Sequence, residues 1–274
     1  MMSSIDTKLK ELQEILEHHL PEGLIVAFSG GIDSAFLLWA AAQANRGNGE
    51  QLLALTTLSP SVPQNDIDDA TDFVRRIGVP HELVDSYEFE KEGYVRNTGL
   101  RCYHCKSTLF EIARQIAADR GFQYIAYGYN ATDTGDIRPG HQAAIENNVL
   151  YPLATVGFTK QEIREIMAEQ GFAVAEKPAS PCLSSRIMTG VRVTPEKLQD
   201  IEYLETILRE GGLKVFRVRL HEHDDIRWLR LEIDPDEMRL ALELREAFVT
   251  EAKERGYQWA TLDLGGYRTG GAVL

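Results

Sequence analysis

The stretch Ser29-Gly-Gly-Ile-Asp-Ser34 stands between two segments of different character. Residues 24–28 form a short apolar run, which is typical of a buried parallel strand. Residues 35–43 are rich in helix-forming side chains. A strand, a glycine pair and a helix in this order favour phosphate binding, because glycine lets the backbone approach a ligand and the first N–H groups of the helix point at the anion. The predicted anion-binding residues are Ser29, Gly30, Gly31, Asp33 and Ser34.

Asp33 falls in the first turn of that helix. A carboxylate among phosphates needs a cation between them, so Asp33 is predicted to contact Mg²⁺. The spacing differs from the Walker pattern, which requires a lysine after the second glycine. The alternative is a glycine-rich turn that serves packing only.

Apolar runs alternate with helical patterns through the first two-thirds of the chain. Predicted strands lie at 24–28, 52–58, 82–84 and 124–127, with a weaker one around 149–151. Predicted helices lie at 35–44, 64–77, 102–120 and 160–170. This alternation predicts an α/β fold with a doubly wound parallel sheet, in which ligands gather at the carboxyl ends of the strands.

The pattern changes after about residue 186. A helix is predicted from Thr194 to about Arg209, followed by strands at 215–221, 228–233 and 259–264, with a helix near 236–255. The expected organisation is a nucleotide-binding domain over residues 1–186 and a smaller α+β domain for substrate binding or oligomerisation over residues 187–274.

Composition narrows the function classes. The 274 residues are 43% hydrophobic and 26% charged, and no apolar stretch approaches the roughly 18 residues of a membrane span. Residues 1–20 are charged and lack an apolar signal-peptide core, so a cytoplasmic protein without a membrane partner is expected. The net charge of −13 makes a nucleic-acid partner less favoured, since such enzymes usually carry a basic surface.

Three cysteines point to metal or nucleophile chemistry rather than a disulfide scaffold. Cys102 and Cys105 share one face if their segment is helical, and Cys182 lies in a Pro- and Ser-rich loop. Three interpretations compete at this point. The thiols hold a [4Fe–4S] cluster with one iron open, or they hold zinc together with His104, or Cys102 and Cys105 form a redox pair unrelated to Cys182.

Other polar residues are candidates for ligand contacts. Asn130 and Asp133 follow the strand at 124–127 and are predicted beside the nucleotide, although Asn and Asp also favour ordinary turns. Lys106 is a candidate phosphate contact or a solvated helix lysine. Arg217 and Arg219 lie two residues apart on a strand and therefore on one face, where two guanidinium groups suit a phosphate or carboxylate.

Several motifs together resemble one family. They are residues 29–34, Cys102-x-x-Cys105-Lys106, Gly128-Tyr-Asn-Ala-Thr-Asp133, Arg138-Pro-Gly140, Ala179-Ser-Pro-Cys-Leu-Ser-Ser-Arg186, Arg217-Val-Arg219 and Leu262-Asp-Leu-Gly-Gly-Tyr-Arg268. The first resembles the signature of PP-loop ATP pyrophosphatases, which split ATP into AMP and pyrophosphate. The whole set, in this order, resembles the LarE family, the sulfur-inserting enzymes of nickel-pincer nucleotide (lactate racemase cofactor) synthesis.

That resemblance implies an ATP- and Mg²⁺-dependent sulfurtransferase acting on a pyridinium mononucleotide, expected as a homo-oligomer. By the same resemblance, Ser185, Arg186 and Glu205 join Arg217 and Arg219 as substrate-binding residues. Cys182, Asp33 and Lys106 are then the expected catalytic residues.

The family contains two sulfur-donating variants. In one, a single cysteine at the position of Cys182 gives up its own sulfur. In the other, that cysteine and a Cys-x-x-Cys pair hold a [4Fe–4S] cluster. Because this chain has all three, the resemblance favours the cluster, with a sacrificial Cys182 as the alternative. A tRNA thiolase, an amide-forming ligase with structural zinc and a non-catalytic nucleotide sensor remain rival functions.

Overall fold

The carboxyl edge of a parallel sheet is where the computed structural model places residues 29–34. The structure describes residues 4–45, 51–135, 139–177 and 181–268. Arg138, Ala179 and Ser180, which belong to the motifs quoted above, lie outside these residues.

The helices and strands within the described part of the chain are numbered in chain order. The helices are α1 (Ser4–His19), α2 (Ile32–Ala44), α3 (Gln64–Ile77), α4 (Glu92–Val95), α5 (Arg101–Arg120), α6 (Pro139–Glu146), α7 (Pro152–Val156), α8 (Lys160–Glu169), α9 (Pro195–Glu210), α10 (Met238–Glu243) and α11 (Arg245–Glu254). The strands are β1 (Leu24–Ala27), β2 (Leu52–Leu58), β3 (His81–Asp85), β4 (Tyr124–Tyr127), β5 (Phe216–His223), β6 (Ile226–Ile233) and β7 (Trp259–Leu262).

The first sheet has the order β3-β2-β1-β4, and all its pairings are parallel. Strand β1 is central, with Leu24 opposite both Leu52 and Tyr124. Its side chains alternate between two cores because successive strand residues point to opposite faces. Leu24 and Val26 join the core formed with α1, α2, α3 and α8, whereas Ile25 and Ala27 join the core formed with α5 and α6.

The predicted fold class is confirmed, because a parallel sheet covered on both faces is accompanied by a separate small sheet. Two local predictions were wrong. The expected strand around 149–151 is reduced to a single bridge between Leu150 and Ala126. The expected helix near 236–255 is interrupted, because α10 ends at Glu243 and α11 begins at Arg245.

The chain divides into two compact units. The first contains Met1–Ser59, Gln64–Glu88 and Cys102–Ser180, and the second contains Pro60–Pro63, Phe89–Arg101 and Pro181–Leu274. The second unit holds the sheet β5-β6-β7, in which β5 and β6 are antiparallel and β6 and β7 are parallel. A domain boundary at residue 186 stays a prediction. Among the described residues, no helix combines the length and apolar character needed to cross a membrane.

Candidate functional site

Hydrogen bonds within residues 29–34, called here the phosphate loop, fold it tightly between β1 and α2. The Ser34 hydroxyl donates to the Gly31 carbonyl at 2.9 Å and accepts from the Ser29 N–H at 3.3 Å. Gly30 has φ +72°, a conformation that favours glycine, and a Cβ there would lie 3.1 Å from the Cβ of Ala70. The glycine at position 30 is therefore explained by the fold itself.

Gly31 has a different explanation. It precedes α2 with φ −76° and ψ 155°, an extended conformation that any residue adopts. Among the described residues, a Cβ at this position would meet only the Ser29 hydroxyl, at an ordinary 3.5 Å. Since neither strain nor packing requires glycine here, its use is consistent with a ligand that approaches the exposed backbone closely.

Gly128, directly after β4, lies against the start of α2. A Cβ on Gly128 would fall 2.5 Å from the Ser34 nitrogen and 2.6 Å from the Asp33 carbonyl carbon. No side chain fits in that space. The glycine therefore allows the end of β4 to reach the first turn of α2, which places the residues after β4 beside the phosphate loop.

The Asp33 carboxylate is held by two residues that are distant in sequence. One oxygen accepts a hydrogen bond from the Asn130 amide at 3.0 Å, and the other lies 3.0 Å from the Lys160 ammonium. Asn130 is fully buried, and its own side-chain oxygen accepts from the Thr132 N–H. Asn130 therefore fixes the orientation of Asp33, and its contact with a nucleotide stays a prediction.

Lys160 is a functional candidate that the motif analysis missed. It is the first residue of α8, where Thr159 and Glu162 form a capping box, and its side chain is 37% exposed. The pattern Thr-x-x-Glu was visible in the sequence as a helix start, but nothing local pointed Lys160 towards Asp33. A lysine ammonium at this edge can bind phosphate oxygens as a point charge.

The carboxylate oxygens of Asp33 fit a hard cation such as Mg²⁺, which prefers oxygen ligands and commonly bridges a protein carboxylate and phosphates. Asp133 is half-buried, and its N–H donates to the Asn130 carbonyl at 3.1 Å. The Lys106 ammonium lies 5.7 Å from the ring centroid of Tyr127, the last residue of β4. Lys106 therefore also reaches the carboxyl edge of the sheet.

The cysteine pair occupies the first turns of α5. Cys102 is exposed, Cys105 is half-buried, and they lie three residues apart on a helix, so their side chains are neighbours. This spacing fits two thiolate ligands of one metal group. Within the described part of the chain, no set of three or more His, Cys, Asp or Glu side chains is close enough to hold a metal ion.

Cys182 lies in the second unit, just before a 3₁₀ turn over Leu183–Arg186. The Arg186 guanidinium forms a buried two-point ion pair with Glu205 at 2.9 and 3.1 Å. Its remaining nitrogen donates to the carbonyls of Pro181 and Cys182. Arg186 and Glu205 thus lie in contact, and Arg186, held by Glu205, fixes the backbone around Cys182.

Arg217 and Arg219 lie on one face of β5. Arg219 is buried, pairs with Glu232 at 2.7 Å and donates to the Ser185 carbonyl at 2.9 Å. Arg217 is half-buried, with its guanidinium 5.1 Å from the ring centroid of Tyr267. Burial and the neighbouring guanidinium of Arg186 lower the pKa of Arg217.

Burial is the larger cause of the lowered pKa of Arg217, and the positive charge of Arg186 adds to it. Arg186 and Arg219 form buried ion pairs with Glu205 and Glu232, which partly offset their positive charge. The structure therefore brings Ser185, Arg186, Glu205, Arg217 and Arg219 into one cluster around β5, called here the arginine cluster.

Comparison with known proteins places this geometry in context. No family model matches the chain. An uncharacterized protein of Synechocystis sp. is 34% identical over 269 residues, covering 97% of both chains. A pyridinium-3,5-bisthiocarboxylic acid mononucleotide synthase of Lactiplantibacillus plantarum is 28% identical over 96% of this chain and 90% of its own length. A tRNA-specific 2-thiouridylase MnmA of Heliobacterium modesticaldum is 28% identical over 59% of this chain and 51% of its own length.

Proposed function

The chain belongs to the LarE family of the PP-loop superfamily, and from this premise we propose that it is an ATP-dependent sulfurtransferase acting on a pyridinium mononucleotide. The observation that carries the proposal is the phosphate loop, with Asp33 oriented by Asn130 and paired with Lys160. The name of the Lactiplantibacillus relative supports the substrate class. The likeness to the thiouridylase supports sulfur-transfer chemistry.

In the first half-reaction a substrate carboxylate oxygen attacks the α-phosphorus of ATP and pyrophosphate leaves. The exposed backbone of the phosphate loop and the N-terminus of α2 receive the phosphate oxygens, which positions the nucleotide and stabilises the charge of the leaving group. Asp33 would hold Mg²⁺ against those oxygens. Lys160, whose ammonium lies 3.0 Å from the Asp33 carboxylate, would add positive charge beside the phosphates.

The second half-reaction needs a sulfur nucleophile. It attacks the acyl carbon of the adenylate and AMP leaves, so that a thiocarboxylate remains. The arginine cluster would bind the substrate phosphate, because guanidinium groups match the geometry of phosphate oxygens. Ser185, Arg186 and Glu205 would contribute to substrate binding indirectly, because Arg186 contacts the Ser185 hydroxyl and holds the backbone carbonyl of Cys182.

The proposal includes a [4Fe–4S] cluster bound by Cys102, Cys105 and Cys182. The adjacent thiols of α5 supply two ligands with suitable chemistry. When bound by these thiols, such a cluster would supply sulfide as the sulfur nucleophile. The alternative is that Cys182 itself is the nucleophile and is left as dehydroalanine after elimination.

Turnover with ATP, Mg²⁺ and a pyridinium carboxylate mononucleotide tests the function. AMP, pyrophosphate and a product in which sulfur replaces oxygen are expected by mass spectrometry. Asp33→Asn keeps the shape of the side chain but removes its charge, and should reduce AMP formation by about 10²–10³-fold. The control is Asp72→Asn, which removes an exposed carboxylate paired only at the surface. Equal AMP formation by the two variants would contradict the role given to Asp33.

Anaerobic purification separates the two sulfur sources. The cluster predicts iron and acid-labile sulfide in the wild-type protein, a large loss of iron in Cys102→Ala, and multiple turnovers at unchanged protein mass. A sacrificial Cys182 predicts one turnover per chain, loss of the elements of H₂S from the protein, and normal single turnover by Cys102→Ala.

A tRNA thiolase is the second candidate, favoured by the likeness to the thiouridylase. The net charge of −13 opposes it, since tRNA binding needs positive surface charge. Filter binding with bulk tRNA at low salt decides the matter. Retention of tRNA together with failure to convert the mononucleotide would favour the thiolase.

A further inference from the structure

Three buried hydroxyl groups meet beside the 3₁₀ turn over Leu183–Arg186, which follows Cys182. The hydroxyls of Ser61 and Ser184 are 2.9 Å apart, those of Tyr94 and Ser184 are 2.7 Å apart, and Ser61 and Tyr94 also form a close hydrogen bond. All three residues are at most 4% exposed. We call Ser61, Tyr94 and Ser184 the hydroxyl triad.

The hydroxyl triad joins three separate segments of the second unit. Ser61 belongs to Pro60–Pro63, Tyr94 lies in α4, and Ser184 lies in the 3₁₀ turn after Cys182. Each hydroxyl has one proton to donate, so three mutually bonded hydroxyls can satisfy one another in a closed ring. Buried polar groups in such a ring specify a single arrangement of the segments that carry them.

Backbone contacts tie the same segments together. The N–H of Leu183 donates to the Ser61 carbonyl at 2.7 Å. Arg101 donates to the Ser184 carbonyl at 2.8 Å. On its other side, the turn is held by Arg186, which donates to the Cys182 carbonyl. The turn that carries Cys182 is therefore fixed from two sides, by the hydroxyl triad and by the Arg186–Glu205 pair.

We propose that Tyr94, acting through Ser61 and Ser184, is a positioning residue that fixes where the Cys182 sulfur is presented. The consequence for sulfur transfer rests on the proposed function, but the consequence for the Cys182 thiol does not. The effect of Tyr94 passes through the Ser184 hydroxyl to the turn that begins beside Cys182.

The test compares two tyrosine variants in a chain where Cys182 is the only thiol, made by Cys102→Ser and Cys105→Ser. Tyr94→Phe removes one hydroxyl of the triad and keeps the ring that packs against Phe89. Tyr257→Phe is the matched control. Tyr257 is also in the second unit, is 2% exposed, and donates its hydroxyl to Asp200 at 3.0 Å, in a different part of that unit.

The readout is the rate of Cys182 alkylation by iodoacetamide at one fixed pH, followed by intact mass. Tyr94→Phe removes both hydrogen bonds of its hydroxyl and should speed alkylation by at least about two- to tenfold, the factor that a single hydrogen bond is worth, because a loosened turn exposes the half-buried thiol. Tyr257→Phe should leave the rate unchanged. Ser184→Ala should mimic Tyr94→Phe, and the double variant should show less than the product of the two effects.

An alkylation rate for Tyr94→Phe that equals or falls below that of Tyr257→Phe overturns the proposal. In the three-cysteine chain, Tyr94→Phe should lower thiocarboxylate formed per AMP released while AMP release itself is kept. A parallel loss of both activities would show a merely structural role. If the wild-type protein forms no thiocarboxylate at all, the proposed function fails, and the alkylation rates still decide the role of Tyr94.

Discussion

Gly128→Ala places a methyl group where the structure leaves no room for one. The new Cβ would fall 2.5 Å from the Ser34 nitrogen and 2.6 Å from the Asp33 carbonyl carbon, whereas ordinary contacts begin at 3.4 Å. The neighbouring atoms are backbone, so no flexible side chain can yield. The first turn of α2 and the end of β4 must therefore separate by about 0.9 Å.

That displacement has two expected costs. Overpacking of this kind lowers the free energy of unfolding by about 1–3 kcal/mol. The same movement shifts Asp33 and the phosphate loop by nearly 1 Å relative to Asn130, and a misplacement of that size reduces rates by about 10²-fold. The activity loss should therefore be far larger than the stability loss would explain at a temperature where the variant is folded.

The assay is pyrophosphate release with saturating ATP, paired with urea unfolding of the same preparations. Gly99→Ala is the control, since a Cβ on Gly99 would meet no atom of the described part of the chain within 4 Å. It should match the wild-type protein in both measurements. If Gly128→Ala, shown to be folded, released pyrophosphate as fast as Gly99→Ala, the contact between β4 and the phosphate loop would have no role in catalysis.

Three further outcomes are expected. Glu205→Gln leaves the buried guanidinium of Arg186 without its charged partner and should lower the free energy of unfolding in urea by about 3–5 kcal/mol. A loss of less than about 1 kcal/mol, as for an exposed ion pair, would contradict the argument from burial. Burial, aided by Arg230, lowers the pKa of His221 to about 4 from 6.5, so only the unfolded chain gains this proton between these pH values. The free energy of unfolding should therefore fall as pH drops from 6.5 to 4. Denaturant titrations at several pH values should show a smaller dependence on pH for His221→Gln, and an unchanged dependence would contradict the lowered pKa of His221. Gly31→Ala should keep the urea midpoint of unfolding, because the backbone and surroundings of Gly31 accept a methyl group. It should nevertheless reduce pyrophosphate release at least about tenfold, because phosphates are expected to approach the backbone at this position. Full activity of the variant would refute this prediction.

The local chemistry of the sequence was enough to predict the α/β class, the bounds of β2, β4 and α3, and the place of the phosphate loop. These features depend on residues close together in the chain, since apolar periodicity and glycine at a turn act over a few positions. The same reasoning failed at 149–151, where three apolar residues form one bridge instead of a strand. It also missed the break at Leu244 between α10 and α11.

Tertiary structure alone decided which distant residues meet. The pairing of Lys160 with Asp33 spans 127 positions, and that of Ser61 with Ser184 spans 123. No local pattern encodes such distances, because they depend on how the elements of each unit pack. The need for glycine at position 128 likewise appears only when β4 is placed against α2. The sequence identified the chemical groups. Only packing showed that Arg186 holds the backbone of Cys182 and that Asn130 orients Asp33.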